Sequence, residues 1–310
     1  MQLQHHINAT DSRLIDYTLF LVLGVIWSSS FLLIKIAVIE VGPWTVAASR
    51  IAIAAVILVL FLYSTGGRLP REPIDWVKFT VIGVTGNILP FFLIGYGEQT
   101  VDSGMAAILM GVMPVATLVL AHLLIPDEPF TLRKGIGVAI SFTGVVILVG
   151  VDSLSGLTTS TLAKLAVLGG ALCYAVTTVF IRRTTTLSGP VMAAGSQTCG
   201  AVLAVPLAFL IEQPLTMQPT TISIITVIAL GLFPSALATL LYFRLVKNLG
   251  AGRMSQVNYL IPVLGAIFGI VFLNEHFQWS TWVALCMVIT GIAVISRGSQ
   301  STTESVKTRA

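Results

Sequence analysis

Ten long runs of apolar residues, separated by short polar breaks, dominate this 310-residue sequence. The hydrocarbon core of a bilayer is about 30 Å thick, and a helix needs about 20 mostly apolar residues to cross it. The runs are too long for barrel strands and lack their period-two alternation, so they predict transmembrane helices. The predicted spans are Tyr17–Val38, Trp44–Tyr63, Asp75–Gly97, Ser103–Leu124, Arg133–Gly150, Thr161–Ile181, Pro190–Ile211, Ile222–Val246, Gly252–Leu273 and Ser280–Ser296.

The composition excludes the common classes of soluble protein. Hydrophobic residues make up 55% of the chain and charged residues 10%, and the mean hydropathy is +0.95. A soluble domain carries roughly 25% charged residues, so this chain cannot cover a water-exposed surface. The basic residues are scattered singly or in pairs, which excludes a nucleic-acid partner. We therefore expect an all-α integral membrane protein.

The distribution of Lys and Arg predicts the orientation in the membrane. With the N-terminus in the cytoplasm, only Lys35 and Lys164 lie on the outer side and Arg50 within a span, whereas the rest of the 17 basic residues lie inside. Both termini are then cytoplasmic, in an inner or plasma membrane. Residues 1–13 form a polar cytoplasmic tail, and residues 298–310, rich in Ser and Thr, are expected to be a disordered cytoplasmic tail.

The chain repeats itself at a spacing of about 147 residues. Trp27 aligns with Tyr174, Lys35 with Arg182, and Pro114 lies in the position of Pro262, while the uncharged Gln197 stands at the position of Arg50. The repeats are residues 14–150 and 151–297, with five spans each. Because five is odd, the second repeat enters the membrane with the opposite polarity, which is the inverted-topology architecture of many secondary transporters.

Several motifs resemble those of one transporter family. They are the run Trp27-Ser-Ser-Ser-Phe31 with Lys35, Pro43 and Arg50; Leu109 to Pro114 with Glu128, Leu132 and Gly144; and Leu241 to Arg244, Gly250-Ala251, Tyr259 to Pro262, Glu275 and Gly291. Together they are similar to the EamA-like transporters of the drug/metabolite transporter superfamily. The resemblance implies a ten-helix carrier, often an exporter of small metabolites or amino acids, and leaves the substrate open.

Prolines near the middle of four spans indicate where a transport site lies. Pro90, Pro114, Pro234 and Pro262 fall in spans three, four, eight and nine, in corresponding parts of the two halves. A proline removes a backbone donor and leaves carbonyls free, which lipid tolerates only against protein or a wet cavity. The pattern predicts a central cavity walled by these spans; static kinks filled by packing are the alternative.

Polar and aromatic residues near that depth are the candidates for contact with a substrate. Each polar group can also bond a neighbouring helix, and each aromatic ring can also belong to the core. The candidates are Trp27, Asn87, Tyr96, Tyr174, Tyr242, Gln256, Asn258 and Tyr259.

The few charged groups in or beside the spans have structural or functional interpretations. Arg50 is either an anchor for an anion in an outer vestibule or a structural partner of Glu98 or Glu40. Glu98, at the outer end of span three, is a weak candidate for proton coupling. Glu128 and Glu275 close matched turns and are predicted to cap the helix that follows each of them.

These features favour a secondary transporter that exports a small organic metabolite by alternating access. Amino acids or related compounds are the first candidates, because sparse charge at mid-depth disfavours a phosphorylated solute, and proton coupling stays open. An uncoupled facilitator or importer and, in another class, a lipid-modifying membrane enzyme are the alternatives. No cofactor or metal is expected, since His-Glu-x-x-His, paired cysteines and a nucleotide-binding loop are absent from the sequence. The chain is expected to be a monomer or homodimer.

Overall fold

Ten apolar helices make up the fold in the computed structural model, which describes residues 2–125, 130–150, 158–254 and 256–307. Within those ranges no strand occurs. The helices are α1 (Gln2–Ala37), α2 (Pro43–Ser64), α3 (Pro73–Glu98), α4 (Ser103–Leu124), α5 (Leu132–Val149), α6 (Thr159–Thr184), α7 (Gly189–Ile211), α8 (Thr221–Leu249), α9 (Val257–Leu273) and α10 (Trp279–Lys307).

Local sequence fixes where several helices begin. A proline occupies the first turn of α2, α3 and α7, where its missing N–H is not needed. Threonine side chains at positions 131, 158 and 220 accept a backbone N–H from the first turns of α5, α6 and α8. The breaks between apolar runs therefore contain their own helix-start signals.

Helix α9 differs from its prediction. The described residues include nine helices long and apolar enough to cross a membrane, with α9 as a shorter tenth of 17 residues. The expected span over residues 252–273 is divided into a single turn, Ala251–Met254, and the helix from Val257. At the division, Gln256 N–H bonds to Arg253 O and Tyr259 N–H to Gln256 O, so tight turns replace regular helical bonds.

The two terminal helices extend beyond their apolar parts. The apolar part of α1 is Leu14–Ala37 and that of α10 is Trp279–Ser296, but the helical backbone begins at Gln2 and ends at Lys307. This differs from the disorder predicted for residues 298–310, of which the last three lie outside the described residues. We call the end of the bundle where α1 begins and α10 finishes the near end, and the opposite end the far end.

A pseudo-twofold operation relates the helix contacts of the first repeat to those of the second. Helices of equal rank pack on each other, α2 on α7, α4 on α9 and α5 on α10. The contact of α1 with α9 is matched by that of α6 with α4, and the contact of α1 with α8 by that of α6 with α3. Two five-helix repeats with an odd number of crossings each must have opposite polarity, so the inverted arrangement is confirmed.

The pair formed by α5 and α10 packs through small residues. A Cβ on Gly137 would lie 2.7 Å from the backbone oxygen of Gly291, and a Cβ on Gly291 would lie 2.6 Å from Gly137 O. Only glycines permit this approach of the two backbones. This pair lies at one side of the bundle, while α1, α4, α6 and α9 meet around the middle.

Candidate functional site

A cavity of about 1220 Å³ lies between the two repeats. Its deepest lining residues toward the far end include Phe31, Ile34 and Ile94, which lie in about the last two turns of α1 and α3 before that end. Toward the near end it is lined by helix-terminal residues such as Leu249 and Arg182. No described residue of the far-end loops lines it, so the cavity opens at the near end and is closed at the far end.

Each of the four helices with a predicted central proline, α3, α4, α8 and α9, is irregular at or near the point where it borders the cavity. Helices α3 and α8 contain π-helical segments, Val84–Ile88 and Gly231–Leu237. Helix α4 is interrupted at Gly111, and α9 begins after the division at Gln256. Pro114, Pro234 and Pro262 line the cavity, whereas Pro90 packs at the contact of α3 with α6 beside Gly170.

Arg50 is a buried cation in the wall of this cavity. It is 4% exposed, its Nε donates to Ser235 Oγ at 3.0 Å, and its guanidinium lies 3.7 Å from the centre of the Phe91 ring. Ser235 Oγ in turn donates to Leu230 O at 2.9 Å, the carbonyl that Pro234 leaves without its helical donor. The π segment of α8 therefore positions the guanidinium.

The structure departs from both interpretations of Arg50. Among the described residues it makes no ion pair, so neither pairing with Glu98 or Glu40 is present. It also faces the central cavity and not an outer vestibule. Burial of an unpaired guanidinium is costly, and stacking on Phe91 with one hydrogen bond offsets only part of that cost.

A second buried polar bridge lies in the same wall. Gln197 Nε2 on α7 donates to Asn87 Oδ1 in the π segment of α3, at 3.1 Å. Gln197 is 5% exposed, and its Oε1 has no hydrogen-bond partner among the described residues. Both residues line the cavity. Sequence reasoning singled out Asn87 and noted Gln197 only as the counterpart of Arg50; that alignment was the signal that identifies it.

Most of the predicted aromatic and polar candidates also border the cavity. Trp27 and Tyr242 are in ring contact, with centroids 5.7 Å apart, and join α1 to α8. The predicted residues that line the cavity are Trp27, Arg50, Asn87, Tyr174, Tyr242, Gln256 and Asn258. Aromatic side chains and a larger number of aliphatic side chains make most of this wall apolar.

Two predicted candidates lie elsewhere. Tyr96 is 39% exposed on the outside of α3, beyond the deepest lining residue of that helix. The hydroxyl of Tyr259 donates to Ile292 O at 3.0 Å and joins α9 to α10. Lys134, Arg182 and Arg253, which were not predicted, line the part of the cavity near its mouth.

The far end is closed by side chains that cap helices across the bundle. Glu275 accepts the N–H groups of Ser103, at 2.6 Å, and Gly104, at 3.0 Å, at the start of α4. Lys35 Nζ donates to the carbonyls of Glu98 and Val101, at 2.7 and 2.9 Å, at the end of α3. Carboxylates at helix starts and an ammonium at a helix end complement the helix dipoles.

Two further glutamates act in the same way. Glu212 accepts the N–H groups of Trp44, at 3.0 Å, and Thr45, at 2.8 Å, at the start of α2. Glu40 accepts from Thr220 N–H at 2.8 Å and from the Ser223 hydroxyl at 2.7 Å, at the start of α8.

The prediction for Glu275 is therefore wrong about the partner. Glu275 caps α4 and not α10, the helix that follows it, because the loop after α9 folds over the neighbouring helix. Glu128 lies outside the described residues. Glu98 is fully buried at the far end, neither of its carboxyl oxygens has a partner among the described residues, and it does not line the cavity.

Comparison with known proteins adds a family and a fold. The model of the EamA-like transporter family matches twice, at residues 14–150 and 161–297. A solved crystal structure at 20% identity superposes with a TM-score of 0.63, covering 91% of this chain and 96% of that one. At this identity the structural likeness concerns the fold alone.

Three curated relatives are named as transporters. The uncharacterized inner membrane transporter YedA of Escherichia coli is 25% identical over 280 residues, 89% of each chain. The probable terminal-alkyne amino-acid exporter of Streptantibioticus cattleyicolor is 27% identical over 280 residues, 89% of this chain and 92% of the relative. The uncharacterized transporter YoaV of Bacillus subtilis is 22% identical over 269 residues, 86% of this chain and 92% of the relative.

Proposed function

The chain belongs to the EamA-like transporter family, and from this premise we propose that it exports small organic metabolites, amino acids or related compounds, by alternating access. The observation that carries the proposal is the cavity between the two repeats, which opens at the near end, extends into about the last two turns of α1 and α3, and is closed at the far end. A carrier caught with one side open has this shape. By the distribution of Lys and Arg, we place the near end and both termini in the cytoplasm.

The pseudo-twofold relation supports the cycle. Lys35 and Arg182 are equivalent in the two repeats, yet Lys35 caps carbonyls at the closed end while Arg182 lines the open cavity. If the repeats exchange conformations, Arg182 takes the capping role at the near end and Lys35 is released at the far end. The same fold then opens to the other side without a new architecture.

The chemistry of the wall supports a substrate with one anionic group and an apolar body. Arg50 is a buried cation in the deep part of the cavity wall beside Phe91, and Phe31 and Ile34 line the same cavity. A guanidinium binds a carboxylate through a planar pair of donors. A phosphorylated solute carries more charge than one buried cation balances. The relative from Streptantibioticus cattleyicolor, named as a probable amino-acid exporter, supports amino acids and the outward direction.

An uncoupled facilitator is the second candidate, and one observation favours it. No Asp or Glu within the described ranges lines the cavity. In this conformation, therefore, no carboxylate is available to carry a coupling proton next to a bound substrate. Glu98 is buried at the far end, outside the lining. The effect of a pH gradient on transport is therefore measured together with the choice of substrate.

Counterflow in proteoliposomes tests the proposal. Vesicles loaded with each unlabelled amino acid should take up the same radiolabelled amino acid, fastest for apolar side chains. Arg50→Gln should abolish uptake, whereas Lys247→Gln, which changes an exposed cation outside the cavity, should leave it unchanged. A wild-type protein that exchanges no amino acid would refute the substrate class. Net efflux that a pH gradient does not alter would favour the facilitator.

A further inference from the structure

Glu98 is a buried acid at the far end that the central cavity does not use. Its side chain is fully buried at the end of α3, and it does not line the cavity. Neither of its carboxyl oxygens has a hydrogen-bond partner in the part of the chain that the structure describes. A carboxylate in such surroundings is costly, because no donor replaces the water that it has lost, and a neutral acid costs much less.

The charged groups that act on this carboxyl are engaged elsewhere. They are Lys35 on α1, Arg50 on α2 and Glu275 in the loop after α9. The ammonium group of Lys35 donates to the backbone carbonyls of Glu98 and Val101, at 2.7 and 2.9 Å. Arg50 is held by its bridge to α8, and Glu275 caps the start of α4. The Glu98 carboxyl therefore lies among charges without an ion pair to any of them.

Two neighbouring elements contribute further charged groups. Asp102 directly precedes α4, and burial, followed by the charge of Glu275, raises its pKa. On α6, which packs against this end of α3, Lys164 Nζ donates to the carbonyls of Leu148 and Val149, at 3.2 and 3.1 Å. Asp102 is therefore the acid whose titration must be separated from that of Glu98.

The position of Lys35 makes the closure of the far end sensitive to the charge of Glu98. One of the two carbonyls that Lys35 caps belongs to Glu98 itself. A carboxylate is a stronger acceptor for an ammonium group than a carbonyl is, so an ionised Glu98 would compete for Lys35. Transfer of Lys35 to the carboxylate would leave the end of α3 without its cap, whereas a neutral acid leaves the cap in place.

We propose that Glu98 is a proton-binding site that exchanges its proton only with water at the far end, and that this proton holds the far end closed. When the end opens transiently, the Glu98 carboxyl gives its proton to that water, and the resulting carboxylate takes Lys35 and stabilises the open state. The inference rests on the alternating access of the proposed function, because it requires the far end to open. It does not depend on the substrate.

The repeat confines this site to one end of the bundle. At the spacing of 147 or 148 residues, Glu98 corresponds to Leu245 or Val246, both apolar. Because Glu98 does not line the cavity, its proton returns to the side from which it came. The pH at the far end therefore controls how readily that end opens, without coupling substrate flux to a proton gradient.

Cysteine labelling at different pH values tests the proposal without a substrate. In a background with Cys173, Cys199 and Cys286 replaced by Ala, the reporter is Val41→Cys, since Val41 is 6% exposed in the turn after α1. The rate of labelling by a polar maleimide in detergent is divided by the rate for the denatured protein at the same pH, which corrects for the thiolate fraction. Between about pH 5 and about pH 8 this ratio should rise with a slope of up to about tenfold per pH unit, the slope for one proton.

Substitutions of Glu98 should remove this slope. Glu98→Gln keeps the size of the side chain and cannot ionise, so it should stay at the low-pH ratio throughout. Glu98→Met should do the same and replaces the amide variant if that protein does not fold. Asp102→Asn and His276→Gln, which change a partly buried acid and an exposed histidine at the same end, are the controls and should keep the wild-type slope.

The outcomes separate this proposal from the proposed function. A ratio independent of pH in the wild-type protein, or a slope that survives in Glu98→Gln and Glu98→Met, refutes the proton site. A slope lost in Asp102→Asn or His276→Gln instead assigns the proton to that residue. Lys35→Met should be labelled fast at every pH, and a wild-type slope in this variant would refute the competition for Lys35. The proposed function fails separately, if counterflow detects no exchange of any amino acid.

Discussion

The two ends of the helix bundle differ in how their helices terminate. At the far end, carboxylates and lysines reach across to the backbone of other helices: Glu275 to α4, Glu212 to α2, Glu40 to α8 and Lys35 to α3. At the near end, basic side chains including Arg182 face the cavity. The difference indicates that the bundle closes by satisfying helix ends with charged side chains, and that the closed state depends on a small number of these contacts.

Lys35 and Arg182 show the same contrast at a single pair of equivalent positions. Lys35 donates two short hydrogen bonds to carbonyls at the end of α3. Arg182 is part of the cavity wall. Lys35 thus contributes to closing the far end, while Arg182, its counterpart, lies at the open near end.

Lys35→Met should have the largest effect on the difference between the two ends, because it should open the far end. It removes two charge-assisted hydrogen bonds, which contribute about 2 kcal/mol together in a half-buried setting. The far end should then open in a large share of molecules. In a background with Cys173, Cys199 and Cys286 replaced by Ala, Ser103→Cys is the reporter, since Ser103 is 1% exposed. Its rate of labelling by a polar maleimide should rise about tenfold in detergent.

Arg182→Met is the matched variant for that experiment. It should slow counterflow, because it removes the capping cation of the alternative state, and it should not raise labelling of the cysteine at position 103. Equal labelling rates in the parent and Lys35→Met proteins would contradict a sealing role for Lys35.

Gly291→Ala should lower the free energy of unfolding without opening either end of the bundle. A Cβ there would lie 2.6 Å from Gly137 O and 2.8 Å from the Ser141 backbone N, so α5 and α10 must separate. We expect a loss of about 1–3 kcal/mol, the range for overpacking. A lower midpoint of thermal unfolding in detergent, with unchanged labelling at position 103, would show that the α5–α10 pair stabilises the fold without closing the far end. Increased labelling would mean that this pair also holds the far end closed.

Glu275→Gln should have a smaller effect on the closure of the far end. The amide keeps one acceptor for the start of α4 but loses the negative charge that favours the helix dipole, which contributes about 0.5–1 kcal/mol. Labelling at position 103 should rise severalfold at most. Arg253→Gln, which changes a cation at the open mouth, is the control and should not raise it.

Glu40 gives the smallest effect, and it depends on pH. Hydrogen bonds from the Ser223 hydroxyl and from the Thr220 N–H and hydroxyl lower the pKa of Glu40 below its ordinary value. A lowered carboxyl pKa stabilises the folded protein at neutral pH, and this contribution is lost as the pH falls through the lowered pKa. Glu40→Gln should therefore lower the unfolding midpoint slightly at pH 7 and have less effect under acidic conditions. An equal effect at both pH values would contradict this.

The architecture could be predicted from the sequence because lipid permits so few solutions. Ten apolar runs, an odd number of spans per repeat and prolines at matched depths led to the two inverted repeats and to a cavity among irregular helices. Arg50 and Asn87 were found because a polar group inside a span stands out in apolar sequence.

Contacts between distant helices could not be predicted in the same way. Glu275 was assigned to the next helix because the sequence shows only neighbours along the chain, whereas its partners lie 172 and 171 residues away. Tyr259 bonds to α10 and does not line the cavity, and Tyr96 lies beyond the deepest lining residue of α3; the apolar pattern specifies neither the face of a helix nor where the cavity ends. The repeat alignment identifies position 197, but no sequence pattern indicates the hydrogen bond from Gln197 to Asn87.

The π segments of α3 and α8 have a consequence for anyone who mutates these helices. A π turn adds one residue to the spiral, which rotates every later position by roughly 100° relative to a regular helix. A single helical wheel drawn through Pro73–Glu98 or Thr221–Leu249 therefore assigns one half of each helix to the wrong side. Cysteine or tryptophan scans along α3 and α8 should be interpreted with two wheels, one before residues 84 and 231 and one after residues 88 and 237.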